Sequence, residues 1–581
     1  MMPITENLAQ RWAGYLNRKA ARHAVRGSKI TVFNSQPEPL TIGSQARGQQ
    51  LATGILIFDG HMIHKPDVDL WAIAAPTTGF SDECHGFAWL DDLAAFGDAS
   101  ARQCAQNWLA GWVERYGNGQ GPGWTPDLTG RRLIRWINHA VFVLHSRDEA
   151  TAEQFYRSLA HQTVFLSRRW QAAKPGLPRF EALTGLICAG LSLEGMQEHA
   201  PPAVAALAHE CAARIDPQGG IPSRNPEELL EVFTLLTWAA EAISASDMTL
   251  DPAHREAIER IAPTLRALRH CDGGLARFHG GEHGLEGRLD NALASSGVKA
   301  RPHEGLAMGY ARLSTGRISV IIDAAPPPSG KDSRMAHAST LAFELTSGRR
   351  PLIVNSGSGV QFGPEWRKLG RATPSHSTLV LDGISSAELK DQSDEKARLT
   401  DAPENVPVEL SQTPEGQRFE GAHEGYEADF GLTHVRKLEL SSDSRSLTGE
   451  DMLVTLSKRL ERQFDRAQKA AGIAGIPFDI RFHLHPDVDA VVDMGGMAIS
   501  IALKSGELWI FRGDGKTKIA IESAFYLEKS RVKPRAAKQI VLSGATMGYA
   551  TRIRWSLAKA QDTPVGIRDL ERDAMEPVIN T

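Results

Sequence analysis

Leu341-Ala342-Phe343-Glu344-Leu345, Pro351-Leu352-Ile353-Val354 and Ser377-Thr378-Leu379-Val380-Leu381 are short apolar runs separated by Gly, Ser and Asp turn residues. Runs of this length between turn signals read as β-strands. The pattern recurs at 318–322, 435–440, 479–484 and 508–511. Many short strands in series predict an antiparallel β-sandwich, here over residues 285–557.

Toward the N-terminus the period changes. Tyr156, Leu159, Thr163, Leu166 and Trp170 step by three and four, as do Phe180, Leu183, Ile187 and Leu191. That is the spacing of one helix face. Asn225-Pro226-Glu227-Glu228 reads as a helix start, with Asn at the N-cap, Pro first in the helix and Glu at the third position. Serial helices joined by loops such as Pro175-Gly176-Leu177-Pro178 predict stacked antiparallel pairs over 81–284. Residues 1–80 form a mixed lead-in, with short β runs at 30–33 and 54–58, and 558–581 form a polar tail.

Composition bounds the function. A chain of 581 residues predicts two to four structural units. With 42% hydrophobic and 23% charged residues it is an ordinary globular sequence, which excludes a disordered chain or a rod. A net charge of -4 offers no general reason to bind nucleic acid or membrane, and neither partner is expected. The five cysteines form no CxxC pair, which argues for a reducing compartment. No run of signal-peptide or membrane-spanning length occurs, so a cytoplasmic protein is expected. No GxSxG elbow and no phosphate loop with its lysine is present.

Two stretches carry a resemblance. The first is Met335-Ala336-His337-Ala338-Ser339-Thr340 leading into the Leu341–Leu345 run, with Pro351-Leu352-Ile353-Val354-Asn355-Ser356-Gly357 after it. The second is Arg371-Ala372-Thr373-Pro374-Ser375-His376-Ser377-Thr378 with the strand that follows. Both resemble the heparinase II/III-like polysaccharide lyases. Gly130-Arg131-Arg132-Leu133-Ile134-Arg135-Trp136-Ile137 and Gly176-Leu177-Pro178-Arg179-Phe180-Glu181 are similar to a proteobacterial subgroup of them. The resemblance implies an N-terminal incomplete (α/α) toroid, a C-terminal antiparallel β-sandwich and a substrate cleft between the two. It also implies a carbon–oxygen lyase that opens a uronic acid-containing glycan by β-elimination.

That chemistry needs a group to neutralise the uronate carboxylate, a base for the proton beside it and an acid for the leaving oxygen. From the residues themselves, Arg224, beside a helix N-terminus, or Asn225 is the expected neutraliser and Tyr310 or His337 the expected proton carrier, while the resemblance implies His337, Asn355 and His376 as a zinc site. Each has a plainer reading: Asn225 as a helix cap, Tyr310 as a strand aromatic, the histidines as packed polar residues. The sequence also departs from the family pattern. Met335 stands where many members place a catalytic His, Leu177-Pro178 where an Asn-His pair is usual, and Asn355 where an acid binds metal. His483 and His485 alternate on one strand face, and the loop from His270 to His279 is rich in glycine. Two other functions stay open: a non-catalytic acidic-glycan-binding protein on the same scaffold, and a glycoside hydrolase using carboxylates such as Glu227 and Asp272.

Overall fold

A computed structural model describes residues 4–27, 30–35, 38–67, 69–390, 397–529 and 531–560. The expected tail lies outside the described residues from residue 561 onward. The chain gathers into two units. One comprises Met1–Gly219, Leu230–Ala262 and Leu285–Lys299, and the other Gly220–Leu229, Pro263–Gly284 and Ala300–Thr581. Two short pieces of the expected helical segment therefore gather with the strands.

The first unit is helical. The expected helices form at Glu149–Arg169, Leu177–Ser192, Ala200–Arg214, Pro226–Ser244 and Pro252–Ala267. In the lead-in, Ile55–Phe58 pairs with His61–His64 as a hairpin. Residues 30–33 form no strand, and only Phe33 makes an isolated bridge, to Leu193. The helix Pro126–Asn138 packs on Leu177–Ser192 through two glycines. A Cβ built on Gly185 would stand 2.5 Å from the Gly130 Cα, so the two backbones touch.

The rest of the 130–137 motif is equally structural. Arg132 is fully buried, donates to Gln162 at 2.7 Å and to the His85 carbonyl at 2.9 Å, and lies 4.1 Å from the Trp112 ring centre. Arg135 meets the buried Asp91 at 3.2 Å. No helix among the described residues is long and apolar enough to cross a membrane.

The second unit holds two eight-stranded antiparallel sheets. One runs in the spatial order Val408–Gln412, Gly416–Tyr426, Leu432–Ser441, Ser446–Val454, Ala550–Lys559, Leu508–Gly513, Ala498–Ala502, Asp489–Asp493. The other runs Lys518–Tyr526, Arg535–Thr546, Ile476–Leu484, Arg350–Val354, Phe343–Ser347, Ile318–Asp323, Tyr310–Thr315, with Leu379–Leu381 also pairing with Ile476–Leu484. Burial alternates along Leu432–Ser441, so its sheet has one inward face. Ile318–Asp323 and Phe343–Ser347 are buried at every position, as strands covered on both faces are. The shared core centres on Trp555, stacked 5.9 Å from Phe343 and edge-on 4.7 Å from Phe482.

Gly185→Ala should force the two helices apart. Overpacking of this kind costs about 1–3 kcal/mol. A calorimetric melt should show the thermal midpoint lowered by a few degrees, and an unchanged midpoint would refute backbone contact at that crossing.

Candidate functional site

Arg224 follows a short turn and adopts a left-handed backbone, at φ 50°. Its guanidinium then reaches five acceptors. Nε donates to the Met308 carbonyl at 3.1 Å, and one terminal nitrogen donates to the carbonyls of Ala325 and Pro326 at 3.2 and 2.8 Å. The other donates to the Gly309 carbonyl at 2.9 Å and to Asp323 Oδ1 at 2.6 Å. An arginine has five N–H groups, and each has an acceptor here. Gly309 permits the approach, since a Cβ there would lie 2.7 Å from the Arg224 Nε.

Asn225 caps the following helix, its Oδ1 accepting from the amides of Glu227 and Glu228 at 3.0 and 3.1 Å. Tyr310 is buried and donates to the Arg224 carbonyl at 2.6 Å. Burial pushes its hydroxyl well above the usual tyrosine range, which keeps the proton in place. The expected neutralisers and the expected tyrosine thus form one cluster, joined to one another and to the main chain.

Asp323, at the end of its strand, is the centre of that cluster. Its Oδ2 accepts from the Ser339 hydroxyl at 2.6 Å and lies 3.5 Å from the His279 Nε2. His279 Nδ1 in turn accepts the His337 amide at 3.0 Å. The His337 ring centre lies 6.1 Å from that of His279 and 5.1 Å from that of His376. His337 and His376 are 1% and 0% exposed, and none of their four ring nitrogens has a hydrogen-bond partner. Buried polar atoms are nearly always paired, so four together mark a place built to meet something else. Burial first, and then neighbouring cationic groups, push His337 well below the normal imidazole range and His376 down to about 3. Both rings are therefore neutral at pH 7. Backbone strain gathers in the same place, with Arg224, His279, Met308 and Leu341 all at positive φ.

Asn355 adjoins this pair but is committed. Its Oδ1 accepts the Ser377 amide at 3.0 Å, and its Nδ2 donates to Glu344 at 3.3 Å. Glu344 also accepts from the Arg277 amide at 2.9 Å and meets His270 Nε2 at 3.4 Å. Against the upward push of burial, the His270 contact and that amide hold the Glu344 carboxyl below its usual range. A zinc ion needs three or four donors with open lone pairs. The two histidines fit that requirement, and the tied amide of Asn355 does not. Among the described residues no group of three His, Cys, Asp or Glu is placed to hold a metal ion.

The other candidates find separate partners. His483 Nε2 bonds the Pro374 carbonyl at 2.9 Å, and His485 lies 3.7 Å from Asp487. Glu227 accepts the Glu282 amide at 3.0 Å, and Asp272 accepts the Gly274 amide at 2.9 Å. Met335 is half-buried beside Gly280. Asp323, Glu344 and His279 were not among the expected site residues. The signal for the first two is an acid inside an otherwise apolar run, and for His279 its place at the end of the glycine-rich loop.

Residues 297–556 match the family described as heparinase II/III-like, C-terminal. Over 536 residues the chain is 29% identical to the FtsZ-localized protein C of Caulobacter vibrioides, covering 89% of this chain and 88% of that protein. The fold resembles a solved heparinase III at a TM-score of 0.64 and 13% identity, over 95% of this chain and 90% of that one. It also resembles a mutant of the heparan sulfate lyase HepC of Pedobacter heparinus at a TM-score of 0.59 and 13% identity, over 95% and 89%. Both structural likenesses include a helical toroid followed by a sandwich, in agreement with the architecture expected from the sequence.

Arg224→Lys should be a folding lesion. Lysine cannot span five acceptors, and Asp323 would be left buried without its fork. A loss of about 3–5 kcal/mol in urea unfolding is expected; wild-type stability would mean the fork is not needed. The buried imidazoles add a pH dependence. In the unfolded chain they titrate near 6.5, above their folded values. Below that pH the unfolded chain binds more protons, so stability is full above about pH 6.5 and falls as the pH drops toward 4. Urea midpoints at pH 5 should lie below those at pH 7.5, by up to about 1.4 kcal/mol per pH unit for each such ring. Identical midpoints at the two pH values would contradict neutral burial.

Proposed function

We propose, from the match of residues 297–556 to the heparinase II/III-like C-terminal family, that the chain is an acidic-glycan-binding protein on a polysaccharide-lyase scaffold. One observation carries the reading: among the groups wanted for carboxylate neutralisation and proton transfer, Arg224 spends every donor on the main chain or on Asp323, Tyr310 donates its hydroxyl to the main chain, and the Asn225 Oδ1 is held as a helix cap. A uronate would find no vacant donor on that arginine. The ligand class follows from the fold likeness to a heparan sulfate lyase, whose substrate is an acidic glycan. The relative named for localisation with FtsZ is described by where it sits rather than by a reaction, which suits a binding role. On this reading the chain also meets FtsZ or an FtsZ-bound protein, and co-sedimentation with FtsZ polymers tests that. The five cysteines are unpaired, which fits a reducing compartment such as the cytoplasm.

A second reading, β-elimination, is favoured by the unpartnered nitrogens of His337 and His376. One neutral imidazole would take the proton beside the uronate carboxylate. The electron pair would form the ring double bond as the glycosidic C–O bond breaks. The same ring, now carrying that proton, would return it to the leaving oxygen.

One experiment separates the two. Purified protein is titrated calorimetrically with heparan sulfate and alginate, and the same mixtures are followed for the ultraviolet absorbance of an unsaturated product. Heat without absorbance is the expected result. Absorbance that disappears in His337→Ala would establish the lyase instead, and silence in both channels would remove both readings.

A further inference from the structure

Away from the buried cluster, one surface of the strand-rich unit combines exposed aromatic carbon with positive charge. The helix Pro364–Arg371 presents Trp366 and Leu369 three residues apart, on one face. Leu369 is 54% exposed, and Val360, just before the helix, is 37% exposed. Phe525, at the outer edge of its sheet, is 52% exposed and meets the half-buried Trp366 edge-to-face at 4.9 Å. Two rings held at right angles, one of them half in water, satisfy each other on one side only. Apolar patches with a polar rim on otherwise soluble surfaces mark binding sites.

Three segments make the rim. Arg367 donates to the Arg334 carbonyl at 3.0 Å, which ties the helix to the 331–335 loop. Gln361 donates to the Arg531 carbonyl at 3.1 Å, which ties it to the loop after Phe525. Across 331–335, 360–370 and 525–533 there are seven Lys and Arg against three Asp and Glu. That excess stands out in a chain whose net charge is -4. The backbone of this helix also leads into the buried histidines, since the Arg371 carbonyl accepts the Ala338 amide at 2.9 Å and His376 follows five residues later.

We propose that Trp366 and Phe525 form a stacking platform for the pyranose rings of an acidic glycan, with the exposed Lys331 and Lys533 side chains holding its carboxylate or sulfate groups. The carbon face of a sugar ring covers an aromatic ring, as other amphipathic groups do. Guanidinium and ammonium groups bind oxyanions, and the charge excess selects an anionic chain over a neutral one. The proposal rests on the glycan-binding reading above and gives that reading a place on the surface.

The test is affinity measurement with heparan sulfate, and with hydroxyethyl cellulose as neutral control, on wild type, Phe525→Ala and Lys533→Glu. Both side chains are exposed, so the variants should melt like wild type. Phe525→Ala should weaken heparan sulfate binding by about tenfold, the equivalent of one lost stacking contact of about 1.4 kcal/mol. Lys533→Glu should weaken it by several-fold at low salt and less at high salt. If wild type binds and both variants bind as tightly with unchanged melting, the platform is wrong while glycan binding stands. If wild type does not bind, both fall. Equal binding of the neutral glycan would overturn the charge selection. Capture by phosphatidylglycerol vesicles instead, lost in the same variants, would assign the patch to lipid and overturn the proposal.

Discussion

The buried fork of Arg224 onto Asp323 organises everything around the candidate site. A guanidinium in a dry interior is tolerable only if all its N–H groups are met, and a carboxylate there only if its charge is balanced. Here one residue meets both demands. It gathers the carbonyls of Met308, Gly309, Ala325 and Pro326 around one plane and leaves Asp323 with a free oxygen for Ser339. Tyr310 then seals the rear by donating to the Arg224 carbonyl while its ring lies 4.7 Å from the guanidinium carbon. The arrangement is rigid because no donor is left to exchange partners. The same fact removes Arg224 from ligand binding.

A second polar network reaches the site from the opposite sheet. The Gly425 amide donates to His423 Nδ1 at 3.1 Å, which leaves His423 Nε2 as the donor to His434 Nδ1 at 3.2 Å. His434 Nε2 must then donate to Asp451, at 2.8 Å. Asp451 also takes the Arg436 Nε at 2.8 Å and the Trp555 indole at 2.9 Å. Arg436 finally donates to the carbonyls of Leu341 and Ser377, each at 2.8 Å. Both residues adjoin the site in sequence or space, Leu341 two positions after Ser339 and Ser377 beside His376. Only the neutral form of each imidazole satisfies this chain, so the sandwich core and the site prefer the same protonation state.

Between these two frames sit His337 and His376, neutral and unpartnered. A fold shared with lyases does not by itself confer their chemistry, because chemistry belongs to particular side chains and the scaffold can outlast them. In this chain the fold is shared, while Met335, Asn355 and the Leu177-Pro178 pair stand where the resemblance leads one to expect a His, an acid and an Asn-His pair. Arg224 and Tyr310, two of the candidates to replace those groups, are occupied with structure. The proposed recognition role fits a chain that shares this fold while Arg224 and Tyr310 serve the structure.

From the amino-acid order alone, the halves of the molecule were legible. Helical periodicity located the helices from Glu149–Arg169 to Pro252–Ala267, and short apolar runs located every strand expected between residues 318 and 511. Those signals are local, since burial on one face or on two imposes its period directly on the chain. The Asn225-Pro226 helix start was legible for the same reason. What tertiary structure alone decided was the use of each polar group. Arg224 looks like an anion site until five acceptors from residues 84 to 102 positions away close around it. Asp323 and Glu344 look like ordinary polar positions in buried strands until they are seen to gather a histidine, an arginine and an amide. Partners so distant in sequence leave no period to read, because a hydrogen bond is specified by where two atoms meet and not by the spacing of the residues that carry them.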